Sequence, residues 1–224
     1  MRTVLVRLEA PLQSWGYRAR WDQRDTGMEP TKSGVIGLVA AALGVERGDD
    51  ATLRQLTTLR LGVRVDRQGQ VIEDLHTVGS GVRDARGDLA MGKDDTNRTV
   101  LSVRQYLADA SFLAALQGGD ALVAAVVAAL QRPRWLPFLG RRSCPPAVPL
   151  LVGEGDYGSL VAALEDWPAA AGVTQRRFRA VLDVAPSQGN PRHDVPQSFR
   201  LRTFGVRYVE ERTVVLRDAM EDQC

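Results

Sequence analysis

The order of apolar and polar positions predicts a β-strand at the start of the chain and a helix after it. Residues 3–8 are largely apolar on both faces of a strand, with Arg7 as their one charge, which favours a central strand of a sheet. An apolar run with helical spacing then begins after Thr31 and stops at Gly44. A threonine before such a run and a glycine after it are typical of a helix start and end.

The same patterns continue through the middle of the chain. Residues 59–65 alternate, and a turn at residues 66–69 leads to Val71 and Ile72, which predicts a β-hairpin. Regular structure is expected again at residues 99–106 and 112–116, then in a helix from Asp120 to Gln131, and in a short apolar strand at residues 135–139. This order is the βαββαβ pattern of a ferredoxin-like or RNA-recognition fold.

In two segments the apolar residues follow neither the spacing of a helix nor that of a strand. Residues 11–31 are rich in proline, glycine and charge and are expected to form a long surface loop that binds something. Residues 79–98 contain four glycines and few apolar side chains, which predicts an inserted arm that orders on a partner. After residue 146 only short strands are expected, at residues 178–184 and 201–209, so a small β-rich second unit is predicted.

Composition narrows the class of protein. The 224 residues are 44% apolar and 25% charged, as in ordinary globular chains. No apolar run reaches the roughly 20 residues of a membrane helix, and residues 1–8 do not read as a signal peptide, so we expect a cytoplasmic protein with no membrane contact. The two cysteines, Cys144 and Cys224, fit neither a disulfide scaffold nor a zinc site.

Arginine carries almost all of the positive charge. The net charge is only +2, yet all of the 29 cationic residues except Lys32 and Lys93 are arginines. Arginine suits carboxylate or phosphate partners, although GC-rich coding produces the same bias. Arginines concentrate at residues 132–142 and 176–212, while residues 218–222 are acidic. This distribution favours a specific polyanion binder over a general DNA coat.

Candidates for catalysis are few. The chain has two histidines, His76 and His193, and no spacing typical of a catalytic triad or a metal site. His76, Tyr106 and Lys93 are the one set that could meet at the base of the arm and cleave RNA without a metal. The alternative for His76 is a hairpin residue bonded to backbone. We therefore predict no catalytic residue, metal or cofactor, and keep metal-independent cleavage of RNA as the alternative function.

Two motifs in the first part of the chain fit nucleic acid. Lys32, Ser33 and Gly34 begin a predicted helix, where free N–H groups and a lysine suit a phosphate, unless this is an ordinary capped helix. In the long loop, Gln13, Trp15, Gly16 and Arg18 belong to a mixture of aromatic rings and guanidinium groups that stacks on unpaired bases. The alternative for Trp15 is that it fixes the loop to the core.

Two further groups of cations are candidates for contacts. Arg141 and Arg142 follow Gly140 directly, and we expect one to contact phosphate and the other a carboxylate. In the arm, aspartates balance the cations, so the arm can equally reach a partner protein. The arm cations are Arg83, Arg86, Lys93 and Arg98.

Four segments together resemble one family, the CasD-type subunits of type I-E CRISPR Cascade complexes within the larger Cas-five family. They lie in order over the first two thirds of the chain, and after Pro149 the resemblance is thin. The segments are residues 8–16 (LEAPLQSWG), 30–38 (PTKSGVIGL), 104–112 (RQYLADASF) and 133–145 (PRWLPFLGRRSCP).

The resemblance implies an α+β protein: an RNA-recognition/ferredoxin-like βαββαβ domain at residues 1–145, with a thumb hairpin inserted at about residues 79–98, and a small β-rich C-terminal unit at residues 146–224. It implies a noncatalytic subunit that holds the 5′ handle of the CRISPR RNA, since a separate subunit cuts the RNA in this type. The implied partners are the CRISPR RNA, the adjacent Cascade backbone subunit, the large subunit and, indirectly, target DNA. The expected RNA-binding residues are Gln13, Trp15, Gly16, Arg18, Lys32, Ser33, Gly34, His76, Arg104, Tyr106, Arg141 and Arg142, and the expected thumb contacts are Arg83, Arg86, Lys93 and Arg98.

Overall fold

The computed structural model describes residues 1–16, 23–78 and 100–217. The strands are β1 (Arg2–Glu9), β2 (Leu12–Gln13), β3 (Gln23–Arg24), β4 (Arg60–Arg67), β5 (Gln70–Val78), β6 (Val100–Ala108), β7 (Ser111–Gln117), β8 (Leu151–Asp156), β9 (Arg177–Val184), β10 (Asn190–Ser198) and β11 (Thr203–Val215). The helices are α1 (Lys32–Leu43), α2 (Asp50–Thr57), α3 (Asp120–Gln131) and α4 (Leu160–Asp166), with a 3₁₀ turn at Pro186–Gln188.

The main sheet has seven strands in the order β10-β11-β9-β4-β7-β1-β8. Within it, β1, α1, β4, β7, α3 and β8 form the split βαβ arrangement, because β1 and β7 pair in the centre while β4 and β8 flank them. The predicted RNA-recognition/ferredoxin-like fold is therefore confirmed. A second sheet contains β2, β3, β5 and β6, with β6 in its centre.

Two predicted strand assignments are wrong. The fourth strand of the fold is β8, whereas residues 135–139 form a loop. The hairpin predicted around residues 66–69 is not formed, because β4 pairs with β7 and β9 while β5 pairs with β6 in the second sheet. Gly69 makes the change of sheet possible: its φ is +71°, and a Cβ there would lie 2.5 Å from the carbonyl oxygen of Ala108.

The C-terminal strands continue the main sheet. Strand β8 lies beyond the boundary predicted at residues 145–146, yet it pairs with β1. Strands β9, β11 and β10 extend the opposite side of the same sheet from β4. Residues before and after the predicted boundary thus share one sheet.

Helices cover the main sheet on both faces. One face carries α1, α2 and α3 over a large apolar cluster that includes Val4, Val6 and Leu8 of β1. The other face carries α4 over a smaller cluster that includes Leu5. Strand β1 is therefore apolar on both faces, as its sequence predicts for a central strand. Among the described residues, no helix has the length and apolar content needed to cross a membrane.

Helix α1 begins and ends as predicted. The side chain of Thr31 accepts a hydrogen bond from the Gly34 N–H at 3.2 Å, and Gly44 ends the helix at a φ of +76°. Helix α3 also has the predicted bounds. Helices α2 and α4 are additional to the predicted elements.

Candidate nucleic-acid interface

A groove of about 910 Å³ runs along the outer side of α1. One wall is the segment from Arg134 to Pro145, and the other is the turn between β10 and β11, with Phe199 and Arg202. We call it the cationic groove. Its lining residues are Ser33, Gly34, Gly37, Leu38, Ala40, Ala41, Val45, Arg47, Arg134, Trp135, Leu136, Pro137, Phe138, Gly140, Arg142, Pro145, Phe199 and Arg202.

The groove combines positive charge with exposed apolar surface. Four of its residues are arginines, and no aspartate or glutamate is among the described residues that line it. Trp135 is 43% exposed and Leu136 is 87% exposed beside these cations. Guanidinium groups next to exposed apolar and aromatic side chains suit single-stranded nucleic acid, whose phosphates pair with cations and whose bases stack.

Small residues on α1 let both walls approach the helix. A Cβ on Gly37 would lie 3.7 Å from the ring of Phe199, so the turn between β10 and β11 packs directly over the helix. At the other end, the Arg134 side chain lies over Gly44, where a Cβ would be only 2.1 Å from its Cδ atom. The Arg134 N–H also donates to the Ala42 carbonyl oxygen at 2.8 Å, which ties this wall to the last turn of α1.

Next to the groove lies a second group of cations, which we call the arginine cluster: Arg24, Arg104, Arg141 and Arg202. Burial is the first cause that lowers the pKa of Arg24, and the charges of the other three arginines lower it further. Like charges brought together in this way favour an anion between them. Because Arg202 belongs to both features, the cluster and the cationic groove lie next to each other.

Arg141 is held in a fixed position within the cluster. Its Nη2 atom donates to the Arg24 carbonyl oxygen at 2.9 Å, and its guanidinium carbon lies 4.5 Å from the centre of the Tyr106 ring. The Nη1 atom is buried and is among the described polar atoms that have no hydrogen-bond partner. A phosphate oxygen is a suitable acceptor for such a donor. Among the residues that the structure describes, no carboxylate pairs with Arg141.

Tyr106 packs its ring against the guanidinium group of Arg141. It is 3% exposed, and its hydroxyl lies 3.5 Å from the Ser143 hydroxyl. Burial acts to raise the pKa of Tyr106, but hydrogen bonds to Ser143 and Arg141 and the charge of Arg141 outweigh it, so the pKa lies below its ordinary value. Tyr106 therefore contacts the interface through Arg141 rather than through an open face.

The aromatic stacking predicted for Trp15 is not available in this structure. Trp15 is 1% exposed, and its indole N–H donates to the side-chain oxygen of Gln13 at 3.0 Å. Gln13 is itself fully buried and donates to the carbonyl oxygens of Leu8 and Ala110. Both residues fix the loop to the core, which is the alternative that the sequence left open for Trp15. Gly16, directly after Trp15, is exposed.

The phosphate contact predicted for Lys32 is wrong as well, because Lys32 is also buried and paired inside the protein. Lys32 is 5% exposed, and its Nζ atom pairs with the Asp183 carboxylate at 2.9 Å. Its backbone N–H donates to Asp194 Oδ2 at 2.8 Å. Two carboxylates of this chain therefore bind the backbone and side-chain donors of Lys32. Ser33 and Gly34, by contrast, line the cationic groove.

The described residues do not assemble the alternative nuclease site. His76 pairs across the second sheet with Ser102, four residues before Tyr106 on β6. At about 3.3 Å per residue, the two side chains stand roughly 13 Å apart along the strand. His76 Nε2 lies 2.6 Å from Asp74 Oδ2, so its partner is a neighbouring carboxylate and not the predicted backbone group. Lys93 lies outside the described residues.

Of the other predicted contacts, Arg104 and Arg141 lie in the arginine cluster and Arg142 lines the groove. The predicted contacts Arg18, Arg83, Arg86 and Arg98, and the whole thumb at residues 79–98, lie outside the described residues. The sequence reasoning missed five interface residues. They are Arg24, Arg47, Arg134, Phe199 and Arg202.

Comparisons with known proteins find CRISPR-associated relatives. The family model described as CRISPR-associated protein (Cas_Cas5) matches residues 3–214. The CRISPR system Cascade subunit CasD of Escherichia coli (strain K12) is 36% identical over 181 residues, which cover 77% of this chain and 80% of that protein. These matches extend the resemblance beyond Pro149.

Two solved structures are also similar. One is titled "Crystal structure of Cas protein", with 37% identity, coverage of 95% of both chains and a TM-score of 0.73. The other is a chain of a "CRISPR RNA-guided surveillance complex", with 31% identity, coverage of 97% of this chain and 92% of that chain, and a TM-score of 0.77.

Proposed function

The chain belongs to the Cas5 family of CRISPR-associated proteins, and from this premise we propose that it is a noncatalytic RNA-binding subunit of a CRISPR RNA-guided surveillance complex. In this proposal it holds the 5′ handle of the CRISPR RNA and helps to assemble the neighbouring backbone and large subunits. Support for the assembly role comes from its relatives, since one is a Cascade subunit and another is a chain of a surveillance complex.

The observation that carries the RNA-binding proposal is the cationic groove with the arginine cluster. The groove has four arginines and no acid among its described lining residues, although the whole chain is nearly neutral. Such a local surface attracts a polyanion and leaves the rest of the protein without general affinity for nucleic acid.

Arg202 belongs to both the arginine cluster and the cationic groove, and this gives the proposed route for the RNA. One phosphate lies in the arginine cluster, where the charges of Arg24, Arg104, Arg141 and Arg202 act together. The strand then passes Arg202 into the groove, where Arg142, Arg134 and Arg47 are available for further phosphates. Bases contact the exposed side chains of the groove wall, and stacking of this kind contributes about 1–3 kcal/mol per base.

The salt dependence of RNA binding tests this route. The full chain is titrated with a fluorescently labelled single-stranded RNA from the repeat of the host's CRISPR array, over a series of salt concentrations. Arg142→Gln and Arg47→Gln are each expected to weaken binding and to reduce the magnitude of the salt slope by about 0.7, the value for one phosphate contact on single-stranded nucleic acid.

Arg212→Gln is the matched control, because it removes the same charge from β11, ten residues beyond Arg202 and so roughly 30 Å away along the strand. Its slope is expected to stay at the wild-type value. If the groove variants also keep the wild-type slope, the RNA does not lie in this groove. The assembly proposal is tested separately, by co-purification with the other subunits and sequencing of the RNA that accompanies them.

A further inference from the structure

A buried ionic network joins the start of α1 to the strands of the C-terminal part of the chain. Arg207 on β11 contacts Asp194 on β10 with two hydrogen bonds, from Nε to Oδ1 at 2.6 Å and from Nη2 to Oδ2 at 2.8 Å. The third nitrogen of the same guanidinium, Nη1, donates to Asp183 Oδ1 on β9 at 2.6 Å. Lys32 reaches both acids, through its backbone N–H to Asp194 and its ammonium to Asp183.

The network is balanced in charge and closed to solvent. Its two carboxylates, one ammonium and one guanidinium sum to zero, and each side chain is 10% exposed or less. Burial acts to lower the pKa of Arg207, but the hydrogen bonds and charges of Asp194 and Asp183 outweigh it and hold the pKa above its ordinary value. Buried charges with this many partners fix geometry, since moving any member leaves another charge unpaired.

The part of the protein fixed by the network includes one wall of the cationic groove. Strand β10 lies at the edge of the main sheet, and within the described part of the chain it pairs with β11 alone. Five residues after Asp194 the chain reaches Phe199, which packs over Gly37, and then Arg202 at the turn. The Asp194 bond to the Lys32 N–H therefore sets the position of this turn relative to α1, which is the floor of the groove.

We propose that Asp194 and Arg207 are positioning residues for RNA binding, which hold the turn between β10 and β11 against α1 so that Arg202 meets the RNA backbone. Neither residue touches RNA in this proposal, because both are buried. The proposal rests on the proposed function, since it assumes that RNA lies in the cationic groove.

A double-mutant cycle tests the proposal. The full-length variants Asp194→Asn, Arg202→Ala and the double variant are titrated with the same labelled repeat RNA, after circular dichroism and melting curves have shown that they are folded. Loss of the Arg202 contact is expected to weaken binding about tenfold, as for a charge-assisted hydrogen bond, and to flatten the salt slope by about 0.7. Asp194→Asn is expected to cause the same two changes, and the double variant is expected to bind no more weakly than Arg202→Ala alone.

Two further variants keep the test decisive. Arg207→Lys retains the buried charge but loses the paired contacts to Asp194, so it is expected to behave like Asp194→Asn, and it replaces that variant in the cycle if Asp194→Asn does not fold. Lys32→Met keeps the backbone N–H that binds Asp194 but removes the ammonium that pairs with Asp183, so it is expected to weaken RNA binding less than Asp194→Asn does.

The outcomes separate the two proposals. Folded Asp194→Asn or Arg207→Lys protein that binds RNA normally overturns the positioning role, and so does a loss that adds fully to that of Arg202→Ala. A loss for Lys32→Met equal to that for Asp194→Asn also overturns it, since the overall charge balance would then be the cause. If Arg202→Ala, Arg142→Gln and Arg47→Gln all bind normally, the groove itself is wrong and both proposals fall.

Discussion

Replacing Arg202 by glycine is expected to stabilise the protein while weakening RNA binding. Arg202 has a φ of 54°, in the left-handed region that side chains with a Cβ avoid. That conformation costs about 1–2 kcal/mol for an ordinary residue, and a glycine pays about 0.5–1 kcal/mol of extra chain entropy on folding. The net gain from Arg202→Gly is therefore about 0.5–1 kcal/mol. For a chain of this size, such a gain raises the melting temperature by about 2 °C.

The same substitution removes a guanidinium from the cationic groove and from the arginine cluster. Binding to the labelled repeat RNA is expected to weaken, with a salt slope smaller in magnitude by about 0.7. If Arg202 contacts the RNA as proposed, the strained backbone at this exposed turn presents the contacting side chain, and stability and binding are expected to change in opposite directions.

Two comparisons isolate the cause. Arg202→Ala removes the same charge but keeps the strained backbone, so it is expected to lose RNA binding without the gain in melting temperature. Asp109→Gly relieves the same φ of 54° at the turn between β6 and β7, and is expected to gain stability with unchanged RNA binding. If Arg202→Gly melts no higher than Arg202→Ala, the strain argument is wrong; if it binds RNA normally, the assignment of the contact is wrong.

Three further predictions concern the framework of the site. Trp15→Ala is expected to lower the free energy of unfolding by about 3–5 kcal/mol in urea titrations; near-normal stability with lost RNA binding would restore the stacking role. Gly140→Ala is expected to prevent folding or shift the loop, as judged by circular dichroism, because φ is +89° and a Cβ would lie 1.6 Å from the Ser14 carbonyl oxygen. Burial acts to raise the pKa of Glu29, but hydrogen bonds from Arg179 and Arg192 outweigh it and hold the pKa below its ordinary value. The ionised carboxylate therefore contributes stability above about pH 4.5, and this stability is lost as the pH falls through the lowered pKa. Glu29→Gln is therefore expected to lose stability at pH 7 and to show a smaller fall between pH 7 and pH 3 than the wild type.

The sequence correctly predicted those helices and strands that are determined by neighbouring residues. The threonine before α1, the glycine after it and the uninterrupted apolar face of β1 are short-range signals, and the structure has those elements where the sequence places them. The partner of β5 depends instead on residues far along the chain. A turn at residues 66–69 is consistent with a hairpin, and only the pairing of β4 with β7 and β9 rules it out.

Residue type alone did not distinguish the buried residues of the site from the exposed ones. Trp15 and Lys32 have the chemistry of RNA contacts, but Gln13 and Asp183 satisfy their polar atoms inside the protein. Arg202 reaches the groove from a turn about 60 residues beyond Arg142 in the sequence, so no local spacing links the two. The one signal was the wider concentration of arginines at residues 132–142 and 176–212, which contain Arg134, Arg142 and Arg202.

The near-neutral charge of the chain is compatible with a polyanion site because its acids are engaged elsewhere. Asp66 lies in the core between two buried arginines, and Asp183 and Asp194 hold Arg207 and Lys32 in the buried network. Glu29 bridges two more arginines across β9 and β10. Each of these carboxylates neutralises cations that serve the fold, and none is among the described residues that line the groove, where the charged groups are four arginines. We therefore expect RNA affinity to depend on where the acids are placed, and a substitution that introduces an acid beside the groove is expected to weaken binding.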